Sequence, residues 1–494
     1  MSGLFGSVGY ARESPAQWYK DGEIAIKLAL SRVPNTQHAK NIILFVGDGM
    51  SISTVTAARI LEGQQRGEPG EENKLSFETM PYVALSKTYN TNQQTPDSAG
   101  TMTAMMTGVK TKDGVISVNQ NVIKGDCASS KGNELITFLE QAEIAGQSTG
   151  VVSTTGLTHA TPAATYAHVA DRKWENDHRL TPEAVKQGCK DIARQLIEFP
   201  YGNGLEVAMG GGRANFWPNN RADLEEPNKV GARKDGRNLT EEWVRKNNNS
   251  QFIWKQSQFD NIDISTTNHL LALFDYSHMT YEVNRKTDLA GEPSLAQMTS
   301  KAIELLSKND KGYFLMVEGG RIDHGHHANN AHRALTETIA FSNAIKMAMQ
   351  KTNSEDTLII VTADHSHVFT LGGYPTRGNP ILGKVIGNDR HGNPKKSLSI
   401  AKDGLPYTTI NYVNGRVYKK IFSRARRADL TSVDTEKKNY YQESLIEMYS
   451  ESHSAEDVAI YANGPYAHLI HGVQEQNYIY HVMRYASKIL HEKN

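Results

Sequence analysis

The sequence predicts an α/β protein with a large, mostly parallel central sheet flanked by helices on both faces. Two observations carry that expectation. Short apolar runs of strand length alternate with amphipathic stretches of helical period. The polar residues able to do chemistry collect just after those runs, where open α/β sheets bind ligands. Four runs read as buried strands: residues 41–46, 149–154, 313–317 and 357–362. Helical patterns fall between them at 134–145, 294–307 and 335–350, and polar turns such as 309–312 separate the elements.

The 494 residues read as one large unit. Within it, residues 1–34 form an arm, a polar lead followed by a helix over 15–30 that precedes the first core strand. Residues 371–452, irregular and rich in Gly, Lys, Asn and Tyr, read as an inserted subdomain. The 54 basic and 54 acidic residues cancel, so no global field points to nucleic acid or an anionic membrane. The basic cluster Arg424, Arg426 and Arg427 lies among polar and acidic residues and reads as a solvated face. The longest apolar stretches, NIILFV and LIIVTA, are strand-sized, so no membrane span is expected. The N-terminal stretch lacks a basic start followed by an apolar core, and the C-terminus lacks a hydrophobic tail. The chain has two cysteines, Cys127 and Cys189, which would be free thiols in the cytosol and often a pair in an exported protein.

Each strand-like run leads into potential metal ligands. FVGDGM carries Asp48; STTGLTHAT carries His159 and Thr161; VEGGRIDHGHH carries Glu318, Asp323, His324, His326 and His327; VTADHSH carries Asp364, His365 and His367. Singly, an Asp after a strand is more often a turn or cap residue. Together, mixed carboxylate and imidazole ligands are what zinc uses when coordination positions stay open. Asp323 and His327, four apart, share one side of a helical turn. Two metals about 4 Å apart would clamp both oxygens of an in-line phosphoryl displacement. In QTPDSAGTMTAMMTG, Ser98 stands where a helix begins, a place that favours anions. It is either a nucleophile or an N-cap. Arg172, in YAHVADRKW, is a candidate for bidentate phosphate binding, or else an ion-paired surface arginine.

The strings FVGDGM, TPDSAGT, THATPAATYAH, VEGGRIDHGHH, VTADHSH and ESHSAEDVA, in this order over almost the whole chain, closely resemble the alkaline phosphatase family. The resemblance is to the animal-type branch, also found in marine bacteria, which has histidines at the positions of His159 and His324. It implies phosphate-monoester hydrolysis of broad specificity through a covalent phosphoserine at Ser98, with Arg172 gripping the phosphate. It also implies a first zinc on Asp323, His327 and His453, a second on Asp48, Asp364 and His365, and a magnesium on Asp48, Thr161 and Glu318. His159, His324 and His367 would lie just outside the ligand shell, and His468 and His471 would be structural. The resemblance further implies a homodimer held by the N-terminal helix and a crown made from the insertion. A Cys127–Cys189 disulfide and an exported, periplasmic or extracellular enzyme follow from it too. A fourth, calcium-like site would use Glu225, the Phe274 carbonyl, Asp275 and Glu292; Asp275 departs from the family's glutamate, and a short insertion precedes Glu292. Rival readings are a phosphodiesterase or sulfatase of the same superfamily, and a non-catalytic phosphate-binding metalloprotein.

Overall fold

The four apolar runs are neighbouring strands at the centre of a ten-stranded sheet. Thr357–Ala363, Asn41–Gly47, Tyr313–Glu318 and Ser148–Gly156 lie side by side and parallel. They are a little longer than their apolar cores because each ladder continues into the small or polar residues that follow. The computed structural model describes residues 14–246, 248–416 and 427–489. Beyond the central four, the sheet extends on one side through Val207–Gly211, His269–Leu273 and Ser250–Ile253, all parallel. On the other side, Val458–Asn463 runs antiparallel to both Thr357–Ala363 and Tyr82–Lys87, with Val473–Glu475 at the edge.

Alternation along the central strands divides the core into two layers. Ile42, Leu44, Leu358 and Ile360 face the helices Ser98–Thr107, Phe138–Ile144 and Tyr478–Ser487 through Met102, Phe138 and Ile479. Ile43, Phe45, Ile359 and Val361 face Ile52–Gln65, Leu295–Leu306 and Ala331–Lys351 through Val55, Met298 and Leu335. Helices on both faces are the expected architecture.

Local chemistry sets the boundaries. Ser294 caps Leu295–Leu306 with a capping box closed by Gln297. The helix expected at 335 begins a turn earlier, at Ala331, because the Asn330 side chain accepts from Arg333 N. The helix expected from 134 begins only at Phe138. Glu134 bridges to Val118 and Leu135 N donates to Ser117 O, so the capping box of Thr137 and Glu140 starts the helix there. The arm helix Pro15–Leu30 has the expected span and buries none of its side chains. The 371–452 stretch contributes Ile410–Gly415 and Ser444–Glu447 to a three-stranded sheet with Phe369–Leu371. Arg427 is not simply solvated: its guanidinium pairs with Asp403 at 2.9 Å and Glu443 at 3.1 Å. Arg424 and Arg426 lie outside the described residues. Cys127 and Cys189 form a disulfide. Among the described residues no helix is long and apolar enough to cross a membrane.

The amino end of the sheet holds a buried carboxyl pair. Thr149 Oγ1 donates to Glu143 Oε1 at 2.5 Å, and Thr149 N donates to Glu206 Oε2 at 2.7 Å. Burial, then the Glu206 charge, pushes Glu143 up to about 9; burial pushes Glu206 up to about 7. These carboxyls keep their protons when folded and lose them at lower pH when unfolded. Stability therefore falls as pH rises from the ordinary glutamate value through about 7 and on to about 9, and the loss is complete above that. Glu143→Gln removes the largest part of the effect. We expect thermal unfolding of this variant to change less between pH 6 and pH 10 than that of the parent; parallel profiles would show that Glu143 does not drive it.

Candidate active site

Register brings the ligands together. Gly47 pairs with Ala363, so Asp48 and Asp364 leave their strands at the same level. Val46 and Ser153 both pair with Glu318, which places that carboxylate between them. Asp48, Asp364 and Glu318 are all fully buried. Asp48 Oδ1 and Oδ2, Asp364 Oδ2, Glu318 Oε1, Thr161 Oγ1 and His159 Nδ1 are buried without a hydrogen-bond partner. Burial, followed by repulsion from Asp364, Asp323 and Glu318, holds the Asp48 carboxyl well above its usual range. Burial raises Glu318 to about 7. Buried anions this crowded, with this many unanswered oxygens, fit cation ligands.

The histidines give a sharper indication. His327 Nδ1 faces the Glu451 carbonyl at 2.6 Å, and His453 Nδ1 faces the Pro96 carbonyl at 2.8 Å. A carbonyl can only accept, so both rings carry their proton on Nδ1 and present bare Nε2 atoms. Those two Nε2 atoms stand 3.1 Å apart, and Asp323 Oδ1 lies 3.2 Å from one and 3.3 Å from the other. Two imidazole nitrogens and a carboxylate oxygen converging in this way fit the ligand set of a metal cation. His365 repeats the pattern. Its Nδ1 faces the Ser366 carbonyl at 3.3 Å, and its Nε2 faces Asp48 Oδ1 at 3.4 Å and Asp364 Oδ2 at 3.3 Å. Ligand atoms of Asp48, Asp364 and His365 form one compact group, and those of Asp48, His159 and Glu318 another.

Ser98 is the first residue of its helix and not the cap. Asp97 caps Ser98–Thr107 by accepting from Gly100 N, which relieves the serine hydroxyl of that role. Ser98 Oγ lies 3.2 Å from His365 Nε2. Arg172 Nη1 donates to Asp97 Oδ2 at 3.1 Å and Nη2 to His159 Nε2 at 3.3 Å. A hydroxyl at a helix N-terminus, a held guanidinium and clustered ligands for several cations match phosphoryl-transfer chemistry.

A family model described as alkaline phosphatase matches residues 39–489. The chain belongs to the alkaline phosphatase family. With the family comes its reaction class, phosphoric monoester hydrolysis, and its dependence on metal ions. The chain is 46% identical over 484 residues to the tissue-nonspecific isozyme of alkaline phosphatase from Felis catus, covering 97% of this chain and 89% of that protein. It is 43% identical over 482 residues to alkaline phosphatase from Gadus morhua, covering 96% and 97%. Among solved structures, alkaline phosphatase from Thermus thermophilus aligns with a TM-score of 0.66 at 22% identity, covering 94% of each chain. That from the Antarctic bacterium TAB5 aligns at 0.61, also 22% identical, covering 92% of this chain and 99% of the other. These structures share the fold.

Two residues absent from the sequence reading stand out in this alkaline phosphatase site. Asp97 both caps the Ser98 helix and holds Arg172. Glu451 is buried; its Oε2 lies 2.6 Å from His367 Nδ1, its Oε1 accepts from Val368 N, and its carbonyl orients His327. His367 Nε2 reaches Asp323 Oδ1 at 2.9 Å. Burial opposes charge on His367, but carboxylates on both sides raise it to about 10, so the ring is a cation locked against Asp323. No local motif marks Glu451; the only signal was its place two residues before His453. His324 sits beside His159, with ring centroids 5.6 Å apart, and accepts from Arg321. His468 packs against Tyr82 and Tyr466, away from the ligands.

Near the fourth expected site, Glu225 accepts from Arg213 at 3.2 Å and Asp275 from Ser277 N at 2.7 Å. Phe274 is fully buried, and its amide donates to Gly210 O at 2.8 Å. Burial, then Asp275 and Asp288, raises buried Glu292 to about 8, and its Oε1 has no hydrogen-bond partner. Asp288 joins this acidic group and was not foreseen.

Removing the charge at Glu451 should loosen the geometry of the candidate metal ligands without touching one of them. We expect Glu451→Gln to weaken metal retention about 10- to 100-fold, read by competition with a chromogenic chelator. Retention equal to the parent would assign Glu451 to packing alone.

Proposed function

We propose that this enzyme hydrolyses phosphate monoesters of broad specificity by double displacement, with Ser98 as the covalent nucleophile. The observation that carries this reading is the Ser98 hydroxyl, released from capping at a helix N-terminus, 3.2 Å from His365 Nε2 and beside Arg172. Asp323, His327 and His453 would hold one zinc, Asp48, Asp364 and His365 a second, and Asp48, Thr161 and Glu318 a magnesium with His159 alongside. When bound, the ions would neutralise the carboxylates and supply Lewis-acid stabilisation to oxygens gaining charge. Ser98 Oγ attacks phosphorus in line; the bond to the leaving alcohol breaks as the phosphoserine forms. Water then opens the phosphoserine, releasing inorganic phosphate and restoring the hydroxyl. Arg172, held by Asp97 and His159, directs its remaining N–H groups at non-bridging oxygens in both steps. These groups grip phosphate and not the alcohol, which supports broad tolerance of leaving groups. A fourth, calcium-like cation at Glu225, the Phe274 carbonyl, Asp275 and Glu292 belongs to the same reading, supported by the unpartnered Glu292 oxygen.

The same proposal covers assembly and location. The helix Pro15–Leu30 leaves Trp18, Tyr19, Ile26, Leu28 and Leu30 exposed, and the crown segment leaves Leu445, Ile446 and Tyr449 exposed. Apolar surface of this extent on a separate helix supports a homodimer in which the arm and crown pack on a second copy. The disulfide supports an exported enzyme, periplasmic or extracellular. We treat residues 1–494 as one catalytic domain, with 1–34 as the arm and 371–452 as the crown.

Ser98→Ala is expected to lower turnover of a chromogenic phosphate monoester by about three orders of magnitude or more, with zinc content by atomic absorption retained. A rate near the parent's would reject the covalent route. A parent faster on the diester of the same alcohol would reject the monoester assignment. Deleting residues 1–30 should shift the light-scattering mass from dimer to monomer, and a dimer that persists would remove the arm from the interface.

A further inference from the structure

His278 belongs to no ligand set, yet it is built into the back of the site. It lies in the loop after His269–Leu273, which crosses the carboxyl ends of Val207–Gly211 and Ser148–Gly156. The crossing is close: a Cβ on Gly211 would stand 2.5 Å from Ser277 O and 3.1 Å from His278 Cα. Any side chain there would push the loop away. Hydrogen bonds pin the loop on both sides of the histidine. Gly212 N and Arg213 N donate to Asp275 O, and Met279 N donates to Thr154 O, each at 3.1 Å.

The ring itself is oriented. Gly156 N donates to His278 Nδ1 at 3.1 Å, so the proton resides on Nε2. Ring centroids of His278 and His324 are 4.5 Å apart at 66°, and those of His278 and His159 are 5.6 Å apart at 89°. With His159 and His324 at 5.6 Å and 74°, the three rings pack mutually edge to face. Burial, then the Arg321 charge, lowers His278 to about 4, so it packs as a neutral ring. Both neighbours lead outward to guanidinium groups: His159 Nε2 accepts from Arg172, and His324 Nδ1 accepts from Arg321 at 2.8 Å.

We infer that His278 is a positioning residue for phosphate binding: its ring walls in His159, and His159 fixes the Arg172 guanidinium. A His159 ring free to turn would cease to present Nε2 to Arg172, leaving Asp97 as the only side chain seen to hold the guanidinium among the described residues. The effect should fall on phosphate affinity more than on turnover. The inference rests on Arg172 as the phosphate-gripping group, so the experiment includes an Arg172 variant.

Zinc- and magnesium-loaded parent, His278→Asn, His278→Ala and Arg172→Ala are compared by calorimetric titration with inorganic phosphate, by KM and kcat, and by melting temperature. Asn places an amide oxygen near the Nδ1 position, keeping an acceptor for Gly156 N while deleting the ring. We expect His278→Asn to retain the parent's melting temperature, weaken phosphate binding about tenfold, and raise KM by a larger factor than it lowers kcat. His278→Ala should weaken phosphate binding at least as much; if it does not fold, His278→Asn alone decides. Parent-like phosphate affinity in His278→Asn overturns the inference, because the backbone hydrogen bond would then be the histidine's whole role. Unchanged phosphate affinity in Arg172→Ala overturns the Arg172 assignment instead.

Discussion

Mutual repulsion among buried carboxylates is the constraint around which this structure is organised. Parallel pairing in register forces Asp48 and Asp364 to leave adjacent strands at one level, with Glu318 one strand further along. The sheet core fixes that proximity, since Ile43, Phe45, Ile359 and Val361 leave the strands no freedom to slip without exposing a whole face. Asp48 Oδ1 and Oδ2, Asp364 Oδ2 and Glu318 Oε1 are buried without a hydrogen-bond partner. Buried carboxylates left this short of donors suit cation binding, and the family is metal-dependent.

The surrounding residues act by fixing which atoms of the imidazoles face the carboxylate cluster. Backbone carbonyls of Glu451, Pro96 and Ser366 each hold one imidazole Nδ1, turning a bare Nε2 inward. Glu451 and Asp323 keep His367 charged between them, so one carboxylate in the cluster is already partly neutralised before any metal binds. Asp97 does the corresponding work at Ser98 and Arg172, capping the helix so that Ser98 need not and restraining the guanidinium. In each case a neighbouring group removes an alternative hydrogen bond from a candidate metal-binding or reacting group. Such preorganisation spares the reacting groups reorganisation during the displacement.

The two ends of the sheet treat buried acids differently. At the carboxyl end the acids are numerous and arranged as ligands. At the amino end Glu143 and Glu206 share Thr149 and rely on protons. Rising pH therefore weakens the amino edge of the sheet, where the buried acids are held by protons.

Much of the site was legible in the sequence because parallel α/β sheets place function at strand ends. Asp48, Glu318 and Asp364 follow apolar runs directly, and the four-residue spacing of Asp323 and His327 is a helical turn visible in the letters. The resemblance to alkaline phosphatases added His453 and the pairing of Cys127 with Cys189, neither of which has a local signature. What the sequence left open was long-range or a matter of hydrogen-bond competition. Whether Ser98 caps its helix or is freed by Asp97 depends on where the helix starts, and the late start at Phe138 depends on pairing with Val118. Glu451 and His278 gain their places from chain segments that meet the site only after folding: the His453–Ser454 pairing with Ser366–His367, and a loop laid over Gly156 and Gly211. Periodicity and local chemistry fix which residues end a strand or share a helix face. Which atoms of those residues are left unpaired is decided only when distant segments pack, because each buried donor and acceptor finds its partner across the whole fold.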